Sequence, residues 1–177
     1  PGKGGHGAHP YQTNAVVLAS AHLITALQSI VSRNVRAIDS AVISICAVQS
    51  GDLGAFSVTP GSATLVGTVR TFNPDVQALV ERRMNELCQA IGLGFGVTAQ
   101  LQYERSYPAT INTADEARFA GDVAAALVGE PQVVRDMDPS MGAEDFSFML
   151  QQKPGAYLRL GQAVSDEVIP LHNNRYD

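Results

Sequence analysis

Apolar positions along the chain change period several times, and each change predicts an element. Val16, Val17, Leu23, Ile24, Leu27, Ile30 and Val31 recur at three- and four-residue spacing, which predicts a helix from Thr13 to about Arg33. From Ile38 to Val48 the period falls to two. Ala41, Ile43, Ile45 and Ala47 share one side of a predicted strand, and Ser40, Val42, Ser44 and Cys46 share the other. A glycine- and proline-bearing loop over 49–61 separates it from a second strand, Ala63 to Phe72, rich in Val and Thr.

Asn73-Pro74-Asp75 is a helix start, with Asn as the cap, Pro in the first helical position and an acid in the first turn. That helix runs through Val76, Leu79, Val80, Met84, Leu87 and Ile91, with Gly92 as its stop. Val97, Ala99, Leu101 and Tyr103 alternate with Thr98, Gln100 and Gln102 as a third strand. The order is helix, strand, strand, helix, strand. One more strand before Pro1 would complete βαββαβ, the ferredoxin-like split motif. That strand would be central, so the chain is expected to be cut from a longer one, or to receive the strand from a separate piece.

After Tyr107-Pro108 the pattern restarts. Thr113-Ala114-Asp115-Glu116 reads as a reciprocal capping box, opening a helix that runs to Val128 and stops at Gly129-Glu130-Pro131. Glu144 and Asp145 are expected in the first turn of a short helix ending near Gln151, and Ala156 to Leu160 reads as a short strand. The fold class is therefore mixed α/β (α+β).

Composition narrows the function classes. The chain has 177 residues, 45% hydrophobic and 16% charged, which suits one or two small packed domains and not a disordered segment. The net charge is −5, and without a Lys/Arg cluster no nucleic-acid partner is expected. No apolar run approaches the roughly 18 residues of a membrane span, so no membrane association is expected. The charge is uneven. Residues 1–112 carry seven bases against six acids and residues 113–177 five against eleven, which suggests a domain boundary near Asn112. Cys46 and Cys88 have no metal-ligand spacing and read as small buried hydrophobes without a disulfide, with the cytoplasm as the default compartment.

Gly2-Lys3-Gly4-Gly5-His6-Gly7 fits G-x-G-x-x-G. Pro10 follows too closely for a phosphate-binding helix, and the first acid is Asp39, so dinucleotide binding is set aside. His6 stands among glycines that allow close backbone approach. It is either a solvated loop residue or a side chain presented to a ligand or another subunit. His9, before Pro10, reads as a turn residue, and His22 as a surface or interface residue. His172 closes an apolar segment and is a structural histidine or a metal ligand. Arg70, on the second strand among threonines, is an edge charge or a carboxylate clamp. Glu144 and Asp145 suit a helix N-terminus.

Several blocks carry a resemblance across the whole chain, in order. They are Gly2 to Pro10, Gly67-Thr68-Val69-Arg70-Thr71-Phe72, Tyr107-Pro108-Ala109-Thr110-Ile111-Asn112, Met141 to Phe146, Pro154-Gly155-Ala156-Tyr157, and Leu171-His172 with Tyr176-Asp177. Together they resemble the amidohydrolase branch of the dinuclear metallo-aminoacylase/carboxypeptidase family, which includes hippurate hydrolases and indole-acetyl-amino-acid hydrolases. The resemblance implies that residues 1–112 are a ferredoxin-like lid, or dimerisation, domain whose first strand is largely missing. Residues 113–177 would be part of the α/β catalytic domain. The His-x-Cys-Gly-His-Asp and Glu-Glu segments that supply most metal ligands and the general base in that family are absent from the chain.

By the same resemblance His172 is the C-terminal metal ligand. His6 is the lid histidine that reaches a partner's active site and stabilises the oxyanion. Arg70 and Asn112 are substrate-binding. The implied cofactor is a pair of divalent ions, zinc first, with manganese, cobalt or nickel as alternatives, not retained by the chain alone. The implied reaction is hydrolysis of an N-acyl amino acid amide bond by a metal-activated water, in a homodimer joined through the lid. The alternative is a non-catalytic dimerisation module. One block departs from the family: Gly54-Ala55-Phe56-Ser57-Val58-Thr59-Pro60 stands where an Asn-Val-Ile-Pro segment is common.

Overall fold

The computed structural model describes residues 1–161. The chain divides into two compact units. The first comprises Pro1–Ala109 with Asp138–Glu144, and the second comprises Thr110–Met137 with the chain from Asp145 onward.

In the first unit a two-residue strand β1 (Gly5–His6) is followed by helix α1 (Val16–Arg33), strand β2 (Ala41–Ser50), a two-residue strand β3 (Val58–Thr59), strand β4 (Ala63–Thr71) and helix α2 (Pro74–Phe95). β2 and β4 form one antiparallel pair and β1 and β3 another. Leu23, Leu27 and Ile30 of α1 meet Val76, Val80, Met84 and Cys88 of α2 and Ile43 of β2 in one core. Each large aliphatic side chain buried there contributes about 1.5–3 kcal/mol. By length and hydropathy alone α1 would pass as a membrane span, contrary to the expectation from the sequence, but its buried stripe belongs to this core.

Asn73 caps α2 as expected, its side-chain oxygen accepting from the Asp75 amide at 2.8 Å. Gly92 does not stop the helix. α2 continues to Phe95, and Gly96 takes the left-handed cap with φ of 66°. Gly92 is small for another reason. A Cβ there would lie 2.9 Å from the Val97 carbonyl, where the chain folds back over the helix.

β2 begins three residues later than the alternation suggested, and its register shifts between Ile45 and Ala47. Beyond this bulge Val48 stands opposite Leu65, which packs on the core, so Ala47 leaves the face shared by Ile43 and Ile45. Cys46 sits in the bulge and is exposed, correcting its reading as buried. Cys88 is buried, and both thiols are free.

The third predicted strand does not form a ladder. Ala99, Leu101 and Tyr103 do turn to the core, as the alternation implied. Their backbone, however, finds no continuous neighbour among the described residues. The Thr98 amide donates to the Pro1 carbonyl at 2.8 Å, and the Gly2 amide to the Gly61 carbonyl at 2.8 Å. Pro1-Gly2 is thus bonded on one side to the approach to β4 and on the other to Thr98. Arg105 then ties this segment to Glu81 of α2 through Nε at 2.9 Å and Nη2 at 2.6 Å.

The second unit holds helix α3 (Ala114–Val128), which ends at Gly129 as expected, and a short helix α4 (Phe146–Leu150). Glu144 and Asp145 precede α4 and do not lie in its first turn. Residues 156–160 form no strand. The backbone of Tyr157 is bonded by a side chain, Asn112, where a neighbouring strand would otherwise stand.

Candidate functional site

The glycine loop packs as its composition implied. A Cβ on Gly4 would come within 2.7 Å of the Thr59 carbonyl oxygen, and one on Gly7 within 2.9 Å of the Ser57 carbonyl oxygen. Only glycine lets β1 and the turn after it lie this close to residues 57–61. The Gly7 amide donates to Ser57 O at 2.7 Å, and Asn14 holds Lys3 from the other side. Its Oδ1 accepts from the Lys3 amide at 2.7 Å, and its own amide donates to Lys3 O at 2.8 Å.

This loop displays His6 at the surface. The Ala8 amide donates to His6 Nδ1 at 3.1 Å, and the His9 amide donates to His6 O at 2.9 Å. The His9 ring tilts against His6 with centroids 5.5 Å apart, and Tyr11 meets His9 edge-on at 5.9 Å. The sequence reading missed the Ala8 amide and the Asn14 bracket. An Asn just ahead of a helix is a visible signal for the second. Nothing in residue type signals the first. His22 lies against Phe95, ring centroids 4.9 Å apart.

Arg70 is half-buried on β4, directly opposite Val42. Its neighbours Val69 and Ile43 pack in the core, so Arg70 and Val42 project from the other face of the pair.

In the second unit Asn112 is bonded to Tyr157 twice. Nδ2 donates to its carbonyl at 3.1 Å, and Oδ1 accepts from its amide at 2.8 Å. Asn112 has two amide hydrogens, and Tyr157 O takes one. Thr113 does not make the reciprocal capping box. Its hydroxyl bonds the Glu116 carboxylate and accepts from the Gly155 amide at 2.9 Å. The Thr113 hydroxyl, with the Glu116 amide, holds that carboxyl below the usual carboxylate range.

His172 lies outside the described residues. Among the described residues no three His, Cys, Asp or Glu side chains converge as a metal site, so this part of the chain does not by itself fit a divalent ion.

A family model for peptidase family M20/M25/M40 matches residues 9–177. The hippurate hydrolase of Campylobacter jejuni is 35% identical over 175 residues, covering 99% of this chain and 44% of that enzyme. The N-acetyldiaminopimelate deacetylase of Streptococcus suis is 33% identical over 175 residues, covering 98% of this chain and 45% of that enzyme. Among solved structures, a dinuclear metal-binding peptidase from Bacillus subtilis superposes with a TM-score of 0.62 at 27% identity, covering 86% of this chain and 37% of that one. The chain thus spans less than half the length of these relatives.

Proposed function

The chain belongs to peptidase family M20/M25/M40, and from that premise we propose that it is part of a metal-dependent amidohydrolase cleaving the amide bond of N-acyl amino acids. Two of its relatives are a hippurate hydrolase and an N-acetyldiaminopimelate deacetylase, and both names describe removal of an acyl group from an amino acid nitrogen. The observation that carries the reading is the display of His6. A close-packed glycine loop holds an exposed imidazole by its backbone and by Nδ1, which leaves Nε2 to face a ligand.

In this reading the first unit is a ferredoxin-like lid through which the enzyme dimerises, and the second unit, which opens at Thr110 and so includes Asn112, belongs to the catalytic domain. The bonds from Gly2 to Gly61 and from Thr98 to Pro1 support it, because they bracket the place of a central strand between β4 and residues 97–103. His6 reaches the partner subunit's site and donates to the oxygen of the scissile carbonyl as negative charge develops there. One such donor contributes roughly a hundred- to a thousandfold in kcat. Arg70 clamps the substrate carboxylate, and Asn112 holds the substrate with the amide hydrogen that Tyr157 does not take.

His172 would be one ligand of a pair of divalent ions in the full-length enzyme, zinc first with manganese, cobalt or nickel as alternatives. The two free thiols suit a reducing compartment, the cytoplasm. The alternative is that the chain acts as a non-catalytic dimerisation module.

The test is hippurate hydrolysis by the full-length enzyme that contains this chain. His6→Ala is expected to lower kcat at least a hundredfold with dimerisation unchanged. An unchanged kcat removes His6 from the reaction.

A further inference from the structure

Resting on the reading of His6 above and deepening it, we propose that the Ala8 amide locks His6 in the Nε2–H tautomer, so that the side chain presents a fixed hydrogen-bond donor to an oxygen ligand. A neutral imidazole carries one N–H and one bare nitrogen. The Ala8 N–H points at Nδ1 from 3.1 Å, which requires Nδ1 to be the bare one and puts the proton on Nε2. The geometry is that of an Asx turn made by histidine, a side chain accepting from the backbone two residues on.

The turn is braced on both sides of Ala8. The Gly7 amide is engaged by Ser57 O at 2.7 Å and the His9 amide by His6 O at 2.9 Å, so the peptide that aims the Ala8 N–H has little freedom. The His9 ring at 5.5 Å limits rotation of the His6 ring, and Tyr11 backs His9. Nε2 is the ring nitrogen farther from the backbone, and His6 is exposed, so the protonated nitrogen faces outward. In this tautomer Nε2 has no lone pair for a metal ion and cannot accept a proton from water. What it recognises is an acceptor, a carbonyl or oxyanion oxygen. Ala8 is a positioning residue in this account, acting through its backbone.

The experiment is long-range proton–nitrogen correlation on the uniformly nitrogen-15-labelled 177-residue chain at mildly alkaline pH. The expected pattern is a pyridine-like Nδ1 and a pyrrole-like Nε2 for His6, with a nitrogen–nitrogen coupling across the hydrogen bond to Ala8. Ala8→Pro, which removes the amide hydrogen, is expected to move both His6 nitrogens toward the averaged values of an unrestrained imidazole. A wild-type His6 with the reverse or an averaged pattern overturns the proposal, as does an Ala8→Pro spectrum with the wild-type His6 pattern. If Ala8→Pro does not fold, the wild-type pattern and the coupling decide the matter alone. No substrate is used, so a failed tautomer test leaves the catalytic reading standing. Loss of that reading in the His6→Ala assay would leave the tautomer standing in turn.

Discussion

Asn112 and Tyr157 are joined by a side-chain amide that substitutes for a strand. Nδ2 donates to the Tyr157 carbonyl and Oδ1 accepts from its amide, at 3.1 and 2.8 Å. The Thr113 amide donates to the Gly155 carbonyl at 3.0 Å and its hydroxyl accepts from the Gly155 amide at 2.9 Å, and together these bonds pin residues 155–157 to the start of α3 without any β-ladder. Asn112→Ala removes both bonds, and at about 0.5–1.5 kcal/mol each should lower stability by about 1–2 kcal/mol, given their exposure. Denaturant unfolding of the variant measures this. Asn112→Asp should cost at least as much at neutral pH, because it sets a carboxylate oxygen against the Tyr157 carbonyl oxygen where Nδ2 donated.

Two glycines of α2 should respond to alanine in opposite directions. At Gly94 a Cβ meets nothing within 4 Å, so Gly94→Ala should stabilise by about 0.5–1 kcal/mol through helix propensity. At Gly92 the Cβ would be 2.9 Å from Val97 O, so Gly92→Ala should destabilise by about 1–3 kcal/mol despite the same gain in propensity. Thermal melts of the two variants side by side decide it.

The Thr113 hydroxyl lowers the Glu116 pKa in the folded chain. A lowered pKa stabilises the fold above the usual carboxylate range and ceases to do so as pH falls through the lowered value. Thr113→Val should therefore move the Glu116 carboxyl titration back up toward the ordinary value and flatten the acid limb of stability. A carbon-13 titration of the Glu116 carboxyl reads the shift directly, and an unmoved titration would exclude the hydroxyl as its cause.

The helices were legible because their signals are local: the stripe of Leu23, Leu27 and Ile30, the Asn73-Pro74-Asp75 start and the Gly129 stop. β2 and β4 were legible because they pair with each other within the chain. Residues 97–103 and 156–160 carry strand-like patterns, but pairing depends on a neighbour that the pattern does not describe. Gly92 misled because a glycine that ends a helix and one that admits a crossing backbone look alike in sequence. The bulge at Cys46 is likewise invisible, and it reverses the side on which every later residue of β2 stands. Residue type alone marked His6 and Arg70 as candidates. The turn that aims His6 was not legible, because its donor is a backbone amide.

The proposed role of His6 in the active site of the other subunit is tested by subunit exchange. Two full-length variants, His6→Ala and His172→Ala, should each be inactive alone. Mixed under conditions that exchange subunits, they should regain about a quarter of wild-type hippurate hydrolysis, because each hybrid dimer rebuilds one complete site. Hybrid dimers that form and remain inactive would contradict the account.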